Sequence, residues 1–244
     1  MEPVLPWRFF KNRTMLSLLM NAVFLGGPWF VAIFQLPQKF QFVHGSSGVR
    51  AGIQTMPFTF AAPLGSLVAS VLAGKLHIPI LYLVAVAGLL QTLGFALLAS
   101  LPESSHVYPR AYGFQIIAGF GCGINVCMLL LSVPFVVESR DKAVGMGAVS
   151  QLRVMGGAIV LSIATSVFNS RTGLEISEVL QASGVPFRSV ESVQSLASLD
   201  VLDQQRIIAI MARGYNLQMY VLCAFAALQI PTALLMWRKK QIMA

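Results

Sequence analysis

Six long apolar runs constrain this chain more than any other feature. They fall at roughly 15–36, 50–74, 78–101, 112–137, 143–168 and 215–237. Each is about 20 residues or longer, enough to cross about 30 Å of hydrocarbon at about 1.5 Å per residue. Backbone groups in hydrocarbon must be satisfied within the segment, so the runs are expected to be helices. The short alternating pattern of a barrel strand is absent. Gln54, Pro57 and Pro63 interrupt the second run. The expected fold is an all-α membrane protein of six transmembrane helices.

Composition agrees: 56% of the 244 residues are hydrophobic and 11% charged, and mean hydropathy is +0.74. A soluble domain carries about 25% charged residues. The formal charge of +8 would fit a nucleic-acid partner, but the basic residues cluster at the ends of apolar runs and leave no basic face, so no nucleic acid is expected. The bilayer is the expected partner.

Lys and Arg also set the orientation. Arg8, Lys11, Arg13, Lys75, Arg140, Lys142, Arg238, Lys239 and Lys240 fall on one side, against Lys39, Arg50 and Arg110 on the other. This places residues 1–14 and the tail 238–244 in the cytoplasm. An even number of spans independently requires both termini on one side. The run after Arg13 has no small-residue cleavage site and reads as a start-transfer span. Asn12-Arg13-Thr14 is a glycosylation sequon that this orientation keeps cytoplasmic. Segment 169–214 then lies outside. Leu174, Ile176, Val179 and Leu180, then Leu202, Ile207, Ile208 and Met211, predict two short amphipathic helices around Pro186, lying on the membrane surface.

Within the spans, Ala61, Gly65, Ala69 and Ala73 recur every fourth position, as do Gly119 and Gly123. Such stripes let helix backbones approach closely, either as static packing or as surfaces that slide. Pro28, Pro57, Pro63, Pro134 and Pro231 remove helix donors in or near the spans. Gly119-Phe120-Gly121-Cys122-Gly123 lacks the strand and charged partner of a nucleotide loop.

Arg153 is the one charge expected near the midplane, about 15 Å into the fifth run. Intramembrane charge calls for a partner or a water-filled cavity. All nine acidic residues lie outside the runs, which leaves Asn125, Gln151, backbone carbonyls or a carboxylate from elsewhere. Asn21, Gln35, Gln54, Gln91, Gln115, Asn125 and Gln151 are the other polar groups picked out at membrane depth, serving as glue between helices or as ligand contacts. The cavity candidates are Arg153, Gln151, Asn125 and Gln115. Cys122, Cys127 and Cys223 form no disulfide or metal pattern, and His44, His77 and His106 sit in separate loops. No metal site, cofactor or catalytic constellation is expected, and the chain reads as a non-enzyme.

The order of several short motifs adds a resemblance. They are Trp7-Arg8-Phe9-Phe10-Lys11-Asn12-Arg13-Thr14, Phe34-Gln35, Ser47-Gly48-Val49 with Met56-Pro57, and Gln115-Ile116-Ile117-Ala118-Gly119-Phe120-Gly121. Gln151-Leu152-Arg153-Val154-Met155-Gly156-Gly157 and the long loop before the last run complete the set. Together the chain resembles the C-terminal half of the fungal fourteen-helix drug:proton antiporters of the major facilitator superfamily. The resemblance implies efflux of hydrophobic small molecules, such as fungal secondary metabolites or toxins, driven by inward proton movement across the plasma membrane. It also implies a departure: the motifs of the family's first half are missing. Those are the GxxxDRxGRR-type loop and the proline–glycine antiporter motif. A cavity between two halves would then need a partner half or a second copy of this chain. The other reading is a non-transporting interaction or regulatory membrane subunit, or an inactive truncated transporter.

Overall fold

The computed structural model describes residues 6–103, 107–182 and 200–237. Among them there is no strand, and six helices are long and apolar enough to cross a membrane. A short helix α1 (Trp7–Lys11) precedes the spans. They are α2 (Arg13–Phe42), α3 (Gly48–Gly74), α4 (Ile80–Ala99), α5 (Arg110–Val136), α6 (Lys142–Ala182) and α7 (Val201–Leu234). This is a multi-pass, all-α integral membrane bundle.

Side-chain caps fix where several helices begin. Asn12 Oδ1 accepts from Thr14 N at 3.1 Å and Met15 N at 3.4 Å, starting α2, while its Nδ2 donates to Val136 O at 3.0 Å. Ser47 caps α3, and Asp200 caps α7 through Val201 N at 2.8 Å. Each cap satisfies a donor that a helix start leaves open. Pro28 brings no N–H, and α2 absorbs it in a single π-helical turn over Gly27–Val31 without breaking.

Two tight crossings organise the bundle. In one, α2 meets α6: a Cβ on Gly26 would fall on the Arg153 carbonyl, and one on Gly156 would fall on the Val23 carbonyl. In the other, α3 meets α5. There Gly119 faces Phe58 O, Gly123 faces Ala62 O and Gly65 faces Phe120 O, each too close to admit a side chain. Ala61, Gly65, Ala69 and Ala73 are all buried on α3, so the two small-residue stripes face each other. The crossings pair spans one with five and two with four, as a repeat of three plus three helices would. Next to them, α4 packs against α5 and α7, and α7 packs in turn against α6 and α2.

Two helices run on past the apolar runs. With 41 residues, α6 is about 60 Å long, and residues 169–182 continue it rather than forming a separate surface helix. Residues 201–214 likewise form the first turns of α7. Ile176, Leu180 and Ile207 pack together, flanked by Val179, Ile210 and Met211. The amphipathic pattern is therefore used between two arms of a helical pair that projects beyond the bilayer core, while Leu174 and Leu202 stay exposed. Pro186 lies outside the described residues, as do His106, Glu2, Glu191 and the basic residues at 238–240. At the other end of α2, Lys39 is also helical, three residues before Phe42.

The chain's described ends meet at one end of the bundle. Phe9 and Met236 share a hydrophobic cluster, and Arg8 pairs with Asp141 in the connection between α5 and α6.

Candidate functional site

At the centre of the bundle four helices contribute one polar knot. Asn21 of α2, Gln91 of α4, Asn125 of α5 and Gln229 of α7 are each fully buried. Gln91 and Gln229 exchange amide hydrogen bonds, both at 3.1 Å. Asn125 Nδ2 donates to Asn21 Oδ1 at 3.1 Å and to Gln229 Oε1. Asn21 Nδ2 donates to Gln229 O at 3.1 Å and to Thr232 Oγ1 at 3.0 Å. Asn125 is therefore placed in the packed interior, away from any open surface. Gln229, absent from the sequence-based polar set, is the residue that joins the knot together.

The open polar surface lies instead on α6. Gln151 and Asn169 are eighteen residues apart, five turns at about 3.6 residues per turn, and so share one azimuth. Ser162 and Thr165 lie between them on that face, and all four are exposed. Ser162 Oγ bonds its own helix at Ala158 O, 3.0 Å away. Gln151, Thr165 and Asn169 make no side-chain hydrogen bond among the described residues. The exposed flank of α4 has the opposite character, with Tyr82, Val86, Leu89 and Leu93. On α3, Val49, Ile53, Met56, Phe60, Leu64 and Leu67 form an apolar stripe. Hydrocarbon cannot satisfy unpaired amides, so the α6 face needs water or protein.

Beside the stripe, α2, α6 and α7 bound a groove of about 350 Å³. Phe34, Phe168 and Tyr215 supply aromatic walls, and Gln35, Gln38 and Gln218 supply amides. Gln218 Nε2 donates to Ala164 O at 3.3 Å, and its Oε1 is buried with no partner. The groove carries no carboxylate, ammonium or guanidinium. It suits a neutral molecule that presents rings to the walls and donors to the amides.

Arg153 stands apart from this face. Two residues past Gln151, it is turned about 200° around α6, toward the back of the stripe. Its side chain is half-buried, its Nε has no partner, and among the described residues it forms no ion pair. Gln115 is fully buried and lines a different cavity, beside Lys39. The four sequence candidates thus occupy four places: Gln151 on the open stripe, Arg153 behind it, Asn125 in the knot and Gln115 in the side cavity. Among the described residues, no three His, Cys, Asp or Glu side chains converge where they could hold a metal.

Similarity to known proteins can be set beside this geometry. No family model matches the chain. It is 35% identical over 235 residues to the MFS-type transporter FPY5 of Fusarium mangiferae, an overlap covering 96% of this chain and 39% of that protein. The chain belongs to the major facilitator superfamily. The aspyridones efflux protein of Neocamarosporium betae is 26% identical over 219 residues, covering 88% of this chain and 37% of that protein. Efflux pump roqT of Penicillium rubens is 26% identical over 244 residues, covering 97% and 44%. This facilitator chain therefore spans roughly two-fifths of the length of these relatives, which are named as transporters and efflux pumps rather than enzymes.

Proposed function

We propose that this chain forms one six-helix half of an efflux transporter for neutral, largely apolar small molecules of the secondary-metabolite kind. The carrying observation is the α6 stripe. Gln151, Thr165 and Asn169 are exposed at or near membrane depth without hydrogen-bond partners, which fits the wall of an aqueous path and not a lipid contact. The neighbouring groove, aromatic and amide-lined, offers the matching ligand chemistry. The name of one relative, the aspyridones efflux protein, fits export of a small molecule.

In this reading the half corresponds to the C-terminal part of a fourteen-helix transporter. The opposite wall comes from a partner half or from a second copy of this chain. Gln151 contacts the substrate. Arg153 braces the α2–α6 crossing from behind the stripe. Asn125 and Gln115 act inside the half. Coupling is to protons, the membrane is the plasma membrane, and α1 lies in the cytoplasm, where the lysines and arginines of that end favour it.

The test is drug retention in cells deleted for their own efflux pumps. Cells expressing the chain should retain less of a hydrophobic toxin than empty cells. Asn169→Leu should restore retention while leaving the amount of membrane-inserted protein unchanged. Retention equal to that of empty cells, with the chain present in the membrane, would contradict efflux by this chain.

A further inference from the structure

At the end of the bundle opposite α1, a buried cation faces a cavity without a counter-charge among the described residues. Lys39 is 8% exposed. Its Nζ donates to Asn216 Oδ1 at 2.7 Å, and Asn216 Nδ2 donates in turn to Leu101 O at 2.9 Å. An ammonium has three donors, and Asn216 takes one. No carboxylate pairs with Lys39 among the described residues. Glu103, two residues past Leu101, is exposed and reaches Arg213 Nε at 3.9 Å instead.

Gln115 is an independent second observation. It is fully buried, and neither its Nε2 nor its Oε1 has a hydrogen-bond partner among the described residues. Lys39 and Gln115 line the same cavity, whose other walls include Leu36 and Phe40 together with His44 and Tyr108. The space is about 20 Å³ and partly open to the surface, room for one small ion or for a carboxylate head whose tail points outward. Burying an uncompensated charge among mostly apolar walls is costly, and so is burying an unpaired amide. A water would fill the donors and leave the charge. A small anion answers both at once, accepting from the Lys39 ammonium and the Gln115 amide. The amide oxygen left over is the kind of group that tolerates incomplete bonding better than an N–H does.

We propose that this cavity is a binding site for one small monovalent anion, held by Lys39 and Gln115. Its source is either a free halide or the carboxylate head of a small organic acid. When occupied, it ties α2, α5 and α7 together at this end of the bundle, through side chains from each. The inference is independent of what the transporter carries.

The experiment measures thermal unfolding of the purified chain in lipid nanodiscs. Chloride, propionate and sulfate are compared at matched ionic strength, with sulfate as the divalent control. Wild-type protein should show a saturable rise in Tm with chloride or with propionate over sulfate. A rise with chloride alone identifies a halide site, and one with propionate alone a carboxylate site. Lys39→Met should abolish the rise, and Gln115→Met should weaken its concentration dependence at least tenfold. If Lys39→Met does not fold, the Gln115→Met titration decides by itself. No rise with either anion, or a rise unchanged in the variants, would overturn the proposal.

Discussion

Arg8 and Asp141, 133 residues apart, form a two-point ion pair. Arg8 Nη2 donates to Asp141 Oδ1 at 3.1 Å, and Nε meets Oδ2 at 3.0 Å. Asp141 is 4% exposed in its side chain, whereas Arg8 retains 35%. The pair ties α1 to the connection between α5 and α6, beside the Asn12 bond to Val136 O.

Breaking that pair from the Arg8 side strands a buried carboxylate. Arg8→Met should therefore destabilise the protein by about 3 kcal/mol, the lower end for a severed buried pair because Arg8 stays partly solvated. Arg8→Met with Asp141→Leu should recover part of the loss. Chemical unfolding in detergent micelles, arranged as a double-mutant cycle, measures both. A double-variant loss equal to the sum of the two single-variant losses would show that the pair contributes no coupling.

The central knot predicts a stability effect without a change of substrate. Gln229→Leu removes four side-chain hydrogen bonds to Gln91, Asn125 and the Phe24 carbonyl. Membrane hydrogen bonds average about 0.6 kcal/mol, so a loss of about 2 kcal/mol is expected. The same unfolding measurement reads it. In transport assays the variant should keep the wild-type substrate ranking, because the knot touches no open surface.

The two crossings predict a sharp positional contrast among glycines. Gly26→Val and Gly123→Val place side-chain atoms on opposing backbone, which cannot move aside as a side chain can. Both should yield little monodisperse protein by size-exclusion chromatography. Gly113, on the same helix as Gly123, has open space where a Cβ would stand, with nothing within 4 Å. Gly113→Ala should be neutral or gain up to about 1 kcal/mol from helix propensity.

Which features are legible in the sequence follows from the range of the forces that make them. The six spans are legible because the bilayer imposes length and apolarity on each segment by itself. The α3–α5 crossing is legible because a spacing of four marks one helix face whatever the partner. The knot is only half legible, since Asn21, Gln91 and Asn125 stand out but nothing local links them to Gln229. Lys39 reads as a loop charge because apolarity ends near Leu36. The helix runs on past it to Phe42, and its ammonium is held by Asn216, 177 residues away. The α6 stripe is hidden for a related reason. Its alignment emerges only if the helix runs unbroken past Asn169, and that segment's amphipathic pattern reads as a separate surface helix.

Sidedness has its own check. Ser100, after α4, and Ser139, before α6, are both exposed at opposite ends of the bundle. With α1 cytoplasmic, a membrane-impermeant maleimide on intact cells should label Ser100→Cys and spare Ser139→Cys until the cells are opened. The reverse pattern, or a glycan on Asn12, would invert the orientation.

The α6 stripe is tested most directly by solvent access in the membrane. Single cysteines at Gln151, Ser162, Thr165 and Asn169, in a background where Cys122, Cys127 and Cys223 are replaced by alanine, would be reacted with a water-soluble maleimide. Cysteines at Val86, Leu89 and Leu93 on α4 serve as lipid-facing controls. The stripe positions should react well above the controls, and a transported toxin should slow labelling at Thr165 and Asn169. Labelling of the stripe no faster than that of the α4 positions would contradict the account, because the α6 face would then be meeting lipid.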